Sequence, residues 1–290
     1  MSDRKELVKQ MREIWARLAK NEIYFEHEIT DEDLPIGTSK IGGDPDVPQG
    51  FVWPTTKNPN DSSRPIAFLM QINLAETAPF DKDNLLPKSG LLSFFYDYED
   101  LPWGGDPEEF SGWKVLYFED AANLTRVQTP KEVLDADANI FQESVTIGNR
   151  LSIPDPYDEI ASEGNELLDE YAEEAEDEDE QEMTDLYVEI AEELGYEGEH
   201  ADDEVKLFGY PVLIQNPMEE EIAEMASEMF EDVSDDPSAW TLLLQISLWQ
   251  KVEGQTDRMF GDVGSVYFWI AKDDLQKKRF DRVMLQMQCY

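Results

Sequence analysis

Chemistry in this 290-residue chain would have to come mainly from carboxylates, because it holds 66 Asp and Glu but only two His and one Cys. His27 and His200 lie in different halves and Cys289 stands beside a chain end, so thiol or imidazole catalysis has thin support. A Ser–His–Asp set stays open in principle, but the G-x-S-x-G elbow that would point to one does not occur. Zinc needs Cys and His in pairs, which are missing. A calcium loop needs a glycine to turn it, and the acidic run EEAEDEDEQE (173–182) has none. Neither glycine-rich phosphate loop, G-x-x-x-x-G-K-[ST] or G-x-G-x-x-G, is present. The sequence therefore assigns no catalytic residue, no metal ligand and no cofactor.

Two glutamines give a subtler signal. Gln71 and Gln245 each sit inside an apolar run, FLMQINL (68–74) and LLLQISL (242–248). An amide buried there without a partner costs about 1–3 kcal/mol, so each must hydrogen-bond, and backbone groups at equivalent places would serve. A sharper reading lines one ligand cleft with both, and with Trp53, Trp103 and Trp269 as aromatic walls, since pockets favour junctions between units. Core packing is the plain alternative for the tryptophans.

The elements that must position these residues follow from periodicity. Leu7, Met11, Ile14, Trp15 and Leu18 form a helical stripe over residues 3–20, with a basic polar face. GGDPDVPQGFVWP (42–54) is a chain of turns. IAFLMQINL (66–74), GLLSFFYDY (90–98) and GWKVLYFED (112–120) read as strands of a small sheet. Residues 151–205 hold 24 acidic residues and no Lys or Arg, and within them 158–195 reads as one or two helices with an acidic outer face. A further helix over 218–230 would bury Ile222, Met225, Met229 and Phe230.

A net charge of −43 argues against nucleic acid and anionic membrane surfaces as partners and leaves basic proteins open. The 41% hydrophobic content is ample for a core. No unbroken apolar stretch suits a signal peptide or a membrane span, and the lone cysteine fits a reducing compartment, so a cytoplasmic location is expected.

The chain also resembles itself. Shifted by 174 residues, Gln71 falls on Gln245 and GLLSFFY (90–96) on GSVYFWI (264–270) without a gap. At a shift of 166, KIGGDP (40–45) falls on KLFGYP (206–211), and WKVLYFE (113–119) has a counterpart in RVMLQMQCY (282–290). This predicts an α+β fold made of internally duplicated, mainly antiparallel sheet units packed into one compact body. Its parts would be an N-terminal helix and lead-in (1–35), a first repeat (36–150), an acidic helical insertion (151–204) and a second repeat (205–290). At GGDPDVPQGFVWP, FLMQINL, LPKSGLLSFFYD, PWGGDP, KLFGYP, LLLQISLWQ and GDVGSVYFWI the chain resembles the YwqG-like family of bacterial proteins over roughly 35–290. That resemblance implies an internally duplicated α+β protein and, by way of relatives associated with polymorphic toxin systems, an immunity role. It supplies no set of catalytic residues.

Two readings of function stand at this stage. One is a non-catalytic interaction protein that turns an acidic face to a basic partner, with charge steering the encounter. The other is a small-molecule binder, or a hydrolase using a carboxylate pair, with its cleft between the repeats. A filled junction between the repeats would favour the first, and a deep cleft with convergent buried carboxylates the second. Oligomeric state is not legible.

Overall fold

The computed structural model describes residues 2–57, 63–154, 188–189 and 204–290. Helix α1 (Ser2–Leu18) turns its stripe inward, so that Met11, Ile14 and Trp15 are buried. The chain then enters β1 (Lys20–Ile29), a strand inside the stretch read above as a lead-in. Short strands β2 (Lys40–Ile41), β3 (Asp46–Val47), β4 (Thr55–Lys57) and β5 (Ser63–Pro65) thread the Gly-Pro region. The three apolar runs become β6 (Ala67–Asn73), β7 (Leu91–Tyr96) and β8 (Trp113–Phe118), with one helical turn, α2 (Leu74–Thr77), after β6. Next come β9 (Thr125–Arg126), α3 (Lys131–Asp135) and the long β10 (Glu143–Ser152). The expected acidic helices lie outside the described residues except at 188–189. Beyond them run β11 (Val205–Phe208), α4 (Glu219–Met229), β12 (Trp240–Ser247), the hairpin of β13 (Trp249–Gln250) and β14 (Arg258–Met259), β15 (Ser265–Ala271), α5 (Lys272–Gln276) and β16 (Met284–Gln288).

Instead of small separate sheets, the longer strands join one sheet of ten in the order β16-β15-β12-β11-β1-β10-β2-β6-β7-β8. Every pairing in it is antiparallel. The fold is mixed α+β, and mostly β. β1 and β10 form the centre, paired over ten residues from Lys20↔Ser152 to Ile29↔Glu143. On one side Lys40 pairs with Gln71, and on the other Lys206 pairs with Gln245. The register of β6 on β7 slips between Phe68 and Met70, and that of β12 on β15 slips between Leu242 and Leu244. Each slip adds one residue to one strand and sharpens its bend, which helps a long sheet to curl. The sheet curls until it is nearly closed. Trp113 Nε1, on edge strand β8, donates to Val283 O just before edge strand β16 at 2.8 Å, and Met287 N on β16 donates to Trp103 O at 3.0 Å.

The concave side is filled by one apolar cluster drawn from both ends of the chain, including Met70, Phe94 and Val115 with Leu244, Phe268 and Leu285. Phe94 and Phe268 are both inaccessible to solvent and meet edge to face, with ring centroids 5.2 Å apart. The outer faces are covered differently. Phe51 and Trp53, from the Gly-Pro region, pack over Phe68, Phe95 and Leu116. The buried face of α4, with Ile222, Met225 and Ala226, packs over Trp240, Leu242 and Trp269.

Candidate functional site

Gln71 and Gln245 are both fully buried, and each closes a local polar cluster. Gln71 Oε1 accepts from Asp46 N at 2.9 Å, while its Nε2 donates to Thr38 O at 2.7 Å and Asp46 Oδ2 at 2.8 Å. Gln245 Oε1 accepts from Val212 N at 2.9 Å, and its Nε2 donates to Val212 O at 3.3 Å. Gln71 thereby pins the chain on both sides of β2, and Gln245 the chain that follows β11. Two buried lysines accompany them at the paired positions. Lys206 Nζ donates to Glu22 Oε2 at 3.0 Å, and Glu22 also pairs with Arg150, which in turn pairs with Glu204. Lys40 Nζ donates to the Asp44 carbonyl instead of to a carboxylate. Burial first, and then the nearby Arg126 charge, brings the Lys40 ammonium down to about 8 against the opposing pull of Asp46 and Asp44. At Asp46 burial acts to raise the carboxyl, and the Arg126, Gly37 and Gln71 donors outweigh it, leaving the group below the ordinary carboxylate range.

The three tryptophans occupy separate surroundings. Trp53 is half-buried, donates from Nε1 to Ile66 O at 2.9 Å and packs edge to face on Phe95. Trp269 is buried beneath α4. Trp103 is 48% exposed, on the loop that bridges the two sheet edges. Trp53 and Trp269 thus cover different outer faces of the sheet, while the glutamines hold two different turns. His27 sits on β1 with Nδ1 2.5 Å from Glu143 Oε2, and Glu143 Oε1 accepts from Gln250 Nε2 at 2.8 Å. His200 lies outside the described residues. Among the described residues no group of three or more His, Cys, Asp and Glu side chains is placed to hold a metal ion. Likewise, none of the described helices is long and apolar enough to cross a membrane.

Two surface features stand out. The first is the outer face of α4, where Glu220, Glu224 and Glu228 recur at one-turn spacing, all exposed, and none pairs with a cation among the described residues. The second is a pocket of about 460 Å³ beside the central strands. Lys20 and Asn21 open β1 on one wall, and the Asp83–Leu85 loop forms another. Phe208 and Gly209, at the end of β11, line it together with Leu275 and Gln276 of α5. None of the five residues singled out from the sequence lines this pocket. Its lining comes from segments far apart in the chain; Lys20 closes the helix expected over residues 3–20, and Phe208 and Gly209 belong to KLFGYP.

A ten-stranded, nearly closed antiparallel sheet with a filled interior defines the class: a mostly β, mixed α+β body. Over residues 39–289 the chain matches the family described as a domain of unknown function, DUF1963, and it belongs to that family. The matched range begins one residue before β2, so β1, at the centre of the sheet, precedes it. No curated protein matches the chain.

Proposed function

We propose that the protein is a non-catalytic cytoplasmic interaction module that binds a basic partner protein through an acidic helical face. The observation that carries this reading is the α4 stripe of Glu220, Glu224 and Glu228. Like charges one turn apart on a helix destabilise it by about 0.2–0.5 kcal/mol per pair, so an unpaired stripe works against the fold and is relieved by a cationic surface. The filled interior supports the same reading, because apolar packing occupies the junction where a carboxylate cleft would have to open. The charge excess of the whole chain extends the field that would steer such a partner.

The body itself is proposed to be a duplication. Support comes from the paired Lys-Gln positions, the matching register slips and the recurrence of successive left-handed residues at Gly42–Gly43 and Phe208–Gly209. The resemblance to YwqG-like proteins makes toxin neutralisation the most concrete form of the binding role. The test is a pull-down from native-host extract at about 0.05 M and about 0.5 M salt, since such salt shrinks the range of surface charge severalfold. Parent chain and an E220Q/E224Q/E228Q variant serve as baits. A basic protein held by the parent at low salt, and lost from the variant or at high salt, is expected; retention by the variant would remove the α4 face from the account.

A further inference from the structure

The short strand β2 leaves the middle of the sheet partly open. It pairs with β10 only at Glu143 and Ser144, whereas β10 runs on to Ser152. Ile41 stands opposite Glu143, and the next residue, Gly42, donates to Leu69 O on β6 at 2.7 Å. Backbone groups of successive strand residues point to opposite sides, so Ile41 faces β10, and the odd-numbered residues of β10 face away from β1. Thr30 N, which donates to Gln142 O at 3.0 Å, fixes the same alternation from the other side. Among the described residues nothing then pairs with the outward N–H and C=O groups of Ile147, Asn149 and Leu151. The chain that could have covered them is drawn away before it enters β2, since Ser39 N donates to Glu76 Oε2 at 2.9 Å and Asn73 Nδ2 to Gly37 O at 2.8 Å.

Unpaired backbone groups are kept only where water reaches them, and the exposure of Thr146 and of Leu151, 40% accessible, agrees. Folded proteins guard such an edge with proline, lysine or a bulge. The stretch VTIGNRL (145–151) has no proline or lysine, its register on β1 is unbroken, and its one charge, on Arg150, is held by Glu22 and Glu204.

The side chains beside the edge indicate what fits it. Ile147 packs against the core, whereas Leu151 stays exposed. On the outer face Tyr24 lies across Gly148, where a Cβ would come within 2.3 Å of the tyrosine Cζ. Next to it Glu26 and Glu28 are exposed and pair with no cation among the described residues. A second copy is disfavoured as the occupant, because two chains of net charge −43 repel.

We infer that the open edge of β10 takes up an extended segment of another protein as an added antiparallel strand. Main-chain bonds to Ile147, Asn149 and Leu151 supply the affinity. The segment carries apolar residues opposite Ile147 and Leu151, a neutral one opposite Arg150, and a basic one opposite Gly148, against Tyr24 and Glu26. The edge belongs to a different part of the sheet from the strands under α4, so the inference stands whether or not that face binds a partner.

The test is fluorescence polarisation of a labelled heptapeptide, SVTVKVS, titrated with the full chain. Saturation at one peptide per chain is expected. Methylating the central valine nitrogen removes the N–H meant for Asn149 O and should weaken binding about tenfold. The peptide SVTVEVS should bind about fivefold more weakly, and Glu26→Gln should narrow that gap. Asn149→Pro deletes an N–H that faces away from β1, so the central ladder is kept while saturable binding is abolished; Asn149→Ala should bind as the parent does. Circular dichroism melts establish that the variants remain folded, and the methylated peptide carries the same test on the unaltered chain. The inference is overturned if SVTVKVS does not saturate, if either altered peptide binds as tightly, or if a folded Asn149→Pro chain binds as the parent does or a folded Asn149→Ala chain does not. It is equally overturned if the parent sediments as a dimer that Asn149→Pro converts to monomers, since a second copy would then hold the edge.

Discussion

Gln71 and Gln245 carry unequal loads although they stand at paired positions. Gln71 makes three hydrogen bonds, one of them to the Asp46 carboxylate, and Gln245 makes two, of which the second is long at 3.3 Å. Replacing either by Leu strands buried backbone groups at about 1–3 kcal/mol per site, so Gln71→Leu should lie at the upper end, or beyond it, and Gln245→Leu at the lower, as read from urea unfolding. Their burial and need for partners were legible in the sequence, because an amide inside an apolar run admits few alternatives. Their partners were not, since Thr38, Asp46 and Val212 come from segments that only tertiary structure brings near. Lys40 gives a prediction in pH. Its ammonium is brought down to about 8 from an ordinary 10.5, so below pH 8 folding buries a charge and bears the full penalty. As pH rises through 8 the folded protein releases the proton before the unfolded chain does, and stability increases, toward a limit on the order of 3 kcal/mol. The buried tyrosines Tyr96 and Tyr267, whose hydroxyls burial pushes up, oppose this above pH 10, their ordinary value. Urea midpoints measured from pH 7 to about 9.5 should therefore climb for the parent, while those of Lys40→Met stay flat in comparison.

At the scale of elements, the strands with continuous apolar runs were legible and the central pair was not. β6, β7, β8, β12, β15 and β16 declare themselves by hydrophobicity. β1 carries Lys20, Glu22, Glu26 and Glu28 among its ten residues, and read locally it is too charged for the middle of a sheet. Glu22 is buried because Arg150 and Lys206 neutralise it from 128 and 184 residues away, a pairing that no window on the sequence contains. α4 was legible because its stripe is regular, with Ile222 and Met225 buried and the glutamates outward. The turns are set by close approach. Gly42 has φ +53, and a Cβ there would lie 2.2 Å from Phe141 O, whereas Gly50 has φ +86 with nothing within 4 Å. Gly50→Ala should cost only the left-handed strain, about 1–2 kcal/mol, while Gly42→Ala adds a collision with backbone and should cost at least twice as much. Thermal or urea unfolding of the two variants separates the contributions, and equal losses would mean that the approach of the 140–141 backbone does not constrain this turn.

For the whole molecule, the sequence similarity at a shift of 174 residues carried no sign that the longer strands on both sides of the acidic stretch would join one sheet. A single sheet of ten strands with one interior leaves no groove along the line where Phe94 meets Phe268. The five residues proposed as lining such a groove are dispersed, while a pocket of about 460 Å³ sits to one side and draws on segments far apart in the chain. The proposed action from the surface depends on both ends of the sheet sharing that interior. The most direct measurement is a double-mutant cycle on Phe94→Ala and Phe268→Ala, followed by urea unfolding with fluorescence and circular dichroism as separate probes. The two probes should report one coincident transition, with a coupling between the substitutions of about 1 kcal/mol, as an edge-to-face pair in a common core requires. Additive losses together with two separate transitions would contradict the account, because they would mean that the halves fold as independent bodies with an interface free to open.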